Sequence, residues 1–129
     1  MTKTEQINVF LRDRGYDISK LKGANPKADI IYRALNEQEA LQALDLYYKL
    51  EIPVLGGDVF YLDENREIDW THDNWYFQKD EGEDEFLKRS IDGSANFIKN
   101  YQNTSFKIAL FYLILYTKNR KTINKYRHR

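Results

Sequence analysis

The segment Ile52-Pro53-Val54-Leu55-Gly56-Gly57-Asp58-Val59-Phe60-Tyr61 constrains this chain more than any other. Proline pushes the residue before it out of α space, so the helical pattern upstream must stop here. Beyond Pro53 the residues are strand-formers as far as Leu62, and Asp63-Glu64-Asn65 is a turn signal. A glycine inside a strand weakens it, so the Gly56-Gly57 pair marks a bulge or a close backbone approach. The pattern predicts a strand over 54–62, followed by shorter strands over 66–70 and 73–78 in a hairpin or meander.

The remaining elements follow from periodicity. Ile7, Phe10 and Leu11 repeat at helical spacing, with Gly15 placed to stop the turn, which predicts a helix over 4–13. Asn36-Glu37-Gln38-Glu39 is a capping box. Ala40, Leu41, Leu44, Tyr47 and Tyr48 then give the helix over 37–50 its apolar face. Phe86, Leu87, Ile91, Ala95 and Ile98 predict a helix over 84–102. Gly93 inside it costs about 1 kcal/mol relative to alanine and leaves room for a kink. Phe106 to Tyr116 is apolar on both alternating faces, as in a central strand buried on both sides. Gly23-Ala24-Asn25-Pro26 reads as a turn, and 16–27 shows no clear period. The sum is an α+β fold, a small, largely antiparallel sheet with helices packed against it, in one domain over 1–129.

Chemistry is bounded mostly by what is missing. The chain has no cysteine, which excludes disulfides and thiolate zinc sites. Residues 1–6 are polar, without a signal core, and the longest apolar run, Ile108 to Tyr116, is too short to span a membrane. These features lead us to expect a cytoplasmic protein with no membrane partner. Gly56-Gly57 lacks the spacing and the lysine of a phosphate loop, so no nucleotide cofactor is expected. His72 and Asp73 are adjacent on a predicted strand and point to opposite faces, so they cannot act as a catalytic pair. His72 reads as a solvated or interface histidine, and no metal site is expected.

Charge is the informative remainder. The chain is formally neutral, but Asp58 to Asp92 holds twelve acids and four bases, and Lys118 to Arg129 holds six bases and no acid. Such segregation steers charged partners. Trp70, Trp75 and Tyr76 lie within the acidic stretch, and tryptophan and tyrosine are common interface anchors. Two other readings compete. Asp58 and Asp73 are the best carboxylate pair for a small hydrolase or nuclease. The basic tail over 118–129, with Tyr126 inside it, is a mobile-end candidate for nucleic-acid contact, although a neutral domain argues against that use.

Ile52 to Phe60 resembles the I-P-[IV]-L-G-G-D-V-Y segment of the immunity protein 40 family of bacterial polymorphic toxin systems. Asp73-Asn74-Trp75-Tyr76 is similar to its D-N-W-Y element. Lys88-Arg89-Ser90 with Ala95, Phe97-Ile98 and Tyr101 resembles its R-S…A…Y-I…Y helix. The likeness runs in order through residues 36–116, with Phe60 and Phe97 standing where the pattern has tyrosine. It implies a non-enzymatic protein that binds and blocks a toxin domain made by its own cell or its siblings. Charge adds that the toxin is basic. The expected contact residues are Asp58, Trp70, Asp73, Trp75, Tyr76, Asp80, Glu81, Glu83 and Asp84.

Overall fold

A computed structural model describes residues 1–23, 28–79, 82–101 and 107–116. The order of elements is α1 (Lys3–Arg12), β1 (Tyr16–Asp17), α2 (Ser19–Lys22), β2 (Arg33–Ala34), α3 (Glu37–Lys49), β3 (Val54–Leu62), β4 (Ile68–Tyr76), α4 (Glu83–Asn100) and β5 (Ile108–Leu115). The fold is α+β. Strands β4, β3 and β5 form an antiparallel sheet in that order, and β1 pairs with β2 in a second, two-stranded sheet. Phe106, the expected helix end at 102, the 24–26 turn and the basic tail lie outside the described residues.

The main sheet is covered on both faces, which is why β3 is buried from Val54 to Phe60. On one face Val54, Val59, Trp75, Phe111 and Leu113 pack against Leu44 and Tyr47 of α3 and Leu87, Ile91 and Ile98 of α4. On the other, Phe60, Leu62 and Leu110 pack against Ile18 and Ala34 from the N-terminal region. The capping box at the start of α3 is present: Glu39 N–H donates to Asn36 Oδ1 at 2.8 Å, and Asn36 N–H donates to Glu39 Oε1 at 3.1 Å.

Two expectations need correction. The central strand is β3, whereas β5 lies beside it; a lone antiparallel bridge from Leu35 to Phe111 continues the ladder on the outer side of β5. The two short strands predicted after Leu62 are one strand, β4, interrupted by a bulge. Helix α4 runs unbroken from Glu83 to Asn100. Gly93 serves packing there, because a Cβ would stand 2.6 Å from Cζ of Phe77.

The glycine pair is used for close approach. A Cβ on Gly56 would lie 2.0 Å from the carbonyl oxygen of Trp75, and one on Gly57 would lie 2.4 Å from the Trp75 ring and 2.5 Å from the carbonyl oxygen of Tyr112. Neither strand backbone can retreat without breaking its ladder. Gly57→Val is therefore expected to lower stability by about 1–3 kcal/mol, the cost of overpacking a filled core. Urea unfolding measures this, and an unchanged midpoint would show that the sheet yields freely at this point.

Candidate functional site

The sequence-predicted contact residues fall into separate places. Asp58 and Trp75 are inside the protein and offer a partner no surface. Trp75 stacks on Phe97 with centroids 4.5 Å apart, and its indole Nε1–H donates to Ser94 Oγ at 3.0 Å. Asp58 is fully buried and receives the Lys22 ammonium at 2.6 Å, an ion pair that ties α2 to the middle of β3. The same ammonium sits 5.6 Å from the ring centroids of Trp70 and Tyr112. These two contact assignments are therefore corrected: alternation along β3 and β4 turns both side chains inward.

The exposed set is Trp70, Asp73, Tyr76, Glu83 and Asp84; Asp80 and Glu81 lie outside the described residues. Glu83 and Asp84 begin α4 together with Glu85, where acids suit the positive end of the helix dipole. Trp70 and Asp73 sit on β4, Trp70 beside an irregularity in its pairing and Asp73 within it. Asp58 pairs with Asn74 and Phe60 pairs with Trp70, so Thr71, His72 and Asp73 stand opposite Val59 alone. His72 adopts φ +70°, in the left-handed region that residues with a Cβ seldom use.

Side chains replace the missing ladder bonds at this bulge. Thr71 Oγ1–H donates to the Val59 carbonyl at 2.8 Å, and Asp73 N–H donates to Thr71 Oγ1 at 3.0 Å. The phenol of Tyr101, just beyond α4, donates to Asp73 Oδ2 at 2.6 Å. Burial and the neighbouring Asp73 carboxylate both push the Tyr101 phenol up, so it remains a donor. The rings of Trp70 and His72 lie 4.4 Å apart between centroids, inclined at 39°.

The carboxylate pair needed by a hydrolase is not assembled. Asp58 is bonded to Lys22 of α2 on one face of the sheet, and Asp73 is bonded to Tyr101 at the end of α4 on the other. Among the described residues no three of His, Asp and Glu converge as metal ligands, and no helix is long and apolar enough to cross a membrane. The sequence reading missed Lys22, His72 as a structural feature, and Tyr101 as the partner of Asp73. Alternation could have flagged one of its errors, since Trp75 and Tyr76 are adjacent and only one can face out.

The segments that carry the family resemblance meet inside the molecule. Gly57 makes room for Trp75, Trp75 bonds Ser94, and Ser90 Oγ accepts the Val54 N–H at 3.1 Å. No curated protein and no solved structure matches the chain. The sequence model of one family, described as Immunity protein 40, matches residues 20–115, from α2 to the end of β5. This chain therefore belongs to the immunity protein 40 family.

Proposed function

We propose that this protein binds a cognate bacterial toxin domain in the cytoplasm and neutralises it by direct contact, without catalysing a reaction. Family membership over residues 20–115 is the observation that carries this reading. The surface we propose for the toxin comprises Trp70, Asp73 and Tyr76 on β4 and Glu83 and Asp84 at the start of α4, with Asp80 and Glu81 between them in sequence. Trp70 and Tyr76 are 37 % and 49 % exposed and lie on the same strand. Aromatic anchors supply contact area that resists dissociation, and surrounding acids raise the capture rate of a basic partner.

The two contributions separate kinetically. Replacing Asp80, Glu81, Glu83 and Asp84 together by Ser or Asn is expected to slow association by about tenfold at low salt and flatten its salt dependence. Dissociation should change little. Trp70→Ala should instead speed dissociation. The measurement is surface-immobilised binding to the toxin domain encoded beside this chain's gene, at two ionic strengths. A wild-type protein that ignores this toxin but hydrolyses a sugar or nucleic acid, with loss on Asp58→Asn, would replace the reading with the enzymatic alternative.

A further inference from the structure

We propose that the buried Lys22–Asp58 pair positions Trp70 as the anchor of the toxin interface, and that this anchor meets an uncharged, apolar part of the toxin. The inference rests on the toxin-binding reading and gives it one face of the sheet and a positioning residue.

The partners of β4 assign its two faces. Trp75 stacks on Phe97 of α4 and Asp73 is bonded to Tyr101, so both face the helices. Asp69 pairs with Tyr61, whose phenol oxygen lies 3.5 Å from that of Tyr101, and faces the same way. Trp70 and Ile68 pair with Phe60 and Leu62, which pack with Ile18 and Ala34 on the other face. Asn74 pairs with Asp58 and Tyr76 with Gly56, and alternation puts both on that second face as well. The second face of β4 therefore carries Ile68, Trp70, Asn74 and Tyr76, with the His72 ring against Trp70, and no Asp, Glu, Lys or Arg. Trp70, His72, Asn74 and Tyr76 are exposed there. Both carboxylates of the strand stand on the helix side.

Trp70 stands on an ordered group. The Lys22 ammonium is 2.6 Å from Asp58 Oδ2 and 5.6 Å from the ring centroids of Trp70 and Tyr112. An ammonium this close to an indole face is attracted to it. Tyr32 meets Tyr112 edge-on at 5.7 Å, and His72 lies 4.4 Å from Trp70. The exposed indole thus touches a fixed cation and a second ring. A buried ion pair is a poor source of stability, because desolvation offsets most of its attraction and an apolar pair serves as well. It does place a charge at a defined point of the sheet. An anchor whose orientation is already set loses less freedom on binding. Asp58 neutralises that ammonium, so Trp70 offers a partner ring surface without net charge. The competing explanation is that the pair only pins α2 to β3.

The double variant Lys22→Met/Asp58→Leu separates the two. Its apolar pair should hold α2 in place and keep the urea midpoint near that of the wild type. Trp70 loses its cation, so toxin affinity should fall about five- to tenfold through faster dissociation, the scale of ordering one large side chain. Trp70→Ala in this background should cost less affinity than in the wild type, because both changes act on one ring. In the wild-type background its cost should be the same at two ionic strengths, as for an uncharged contact. Suppose the wild type binds the toxin encoded beside its gene. If the double variant then binds it equally well, or the two losses simply add, the pair only pins α2, and toxin binding stands without this inference. A salt-dependent loss on Trp70→Ala would overturn the apolar partner. If the double variant does not fold, the wild type decides. Nuclear Overhauser contacts between the Lys22 ε-methylene and the Trp70 ring are expected in the free protein and in the toxin complex, and their disappearance in the complex would overturn the proposal. A wild type that binds no toxin would overturn both this inference and the reading beneath it.

Discussion

Lys22→Met is expected to destabilise the protein by about 3–5 kcal/mol, because removing one member of a buried ion pair strands the other charge. Asp58 has no exposed surface, and only 8 % of the Lys22 side chain is exposed. The carboxylate cannot turn to water without leaving the central strand. Methionine fills much of the lysine stem's volume, so the loss is mainly electrostatic and not a cavity effect. The double variant Lys22→Met/Asp58→Leu should recover most of the loss, since apolar replacement of a whole buried pair is often neutral. Urea midpoints of the wild type, Lys22→Met, Asp58→Leu and the double variant form the cycle. A single variant as stable as wild type would mean that α2 can detach from the sheet at negligible cost.

Leu110→Asp should yield no soluble protein. Leu110 is completely buried, pairs with Phe60, and packs in the cluster with Ile18, Ala34 and Leu62. The change forfeits about 2 kcal/mol of apolar burial and adds several more for a buried, unpaired carboxylate. Together these approach the whole stability of a domain of this size. Soluble expression followed by thermal unfolding decides it. A folded Leu110→Asp protein would place the face of β5 bearing Leu110 at the surface and refute the two-sided burial of the sheet.

The elements legible in the sequence are those whose period repeats often enough to be read. Helices α3 and α4 and strand β3 came within a residue or two of their observed bounds. The break read between 66–70 and 73–78 was a real signal with the wrong meaning: it marks the bulge within β4. Strands β1 and β2 have two residues each and α2 has four, too few to show any period. Contacts from afar hold that region, with Ile18 in the cluster of Phe60 and Leu110, and Leu35 bonded to Phe111. The misplacement of Asp58 has the same cause. An aspartate among aromatics reads as a surface acid until its lysine is found, and that lysine is 36 residues away. The glycine pair was read well because steric exclusion is a local property, whereas the exposure of Trp70, Tyr76 and the α4 acids had no comparable local marker.

The position of β5 has a consequence for how the protein is made. β3 lies between β4 and β5, yet β5 is the last described element in the chain. As the polypeptide is synthesised, β3 and β4 emerge first as a hairpin with one unsatisfied edge on β3. Val59 and Phe60 then lack their ladder partners Phe111 and Leu110 until β5 has been translated. The N-terminal residues wait longer still, because Leu35 has its backbone partner on Phe111. Pairings between distant parts of a chain are slow to form and leave apolar surface open to aggregation while they do. Closure of the main sheet is therefore a late event among the described elements, because it waits for β5.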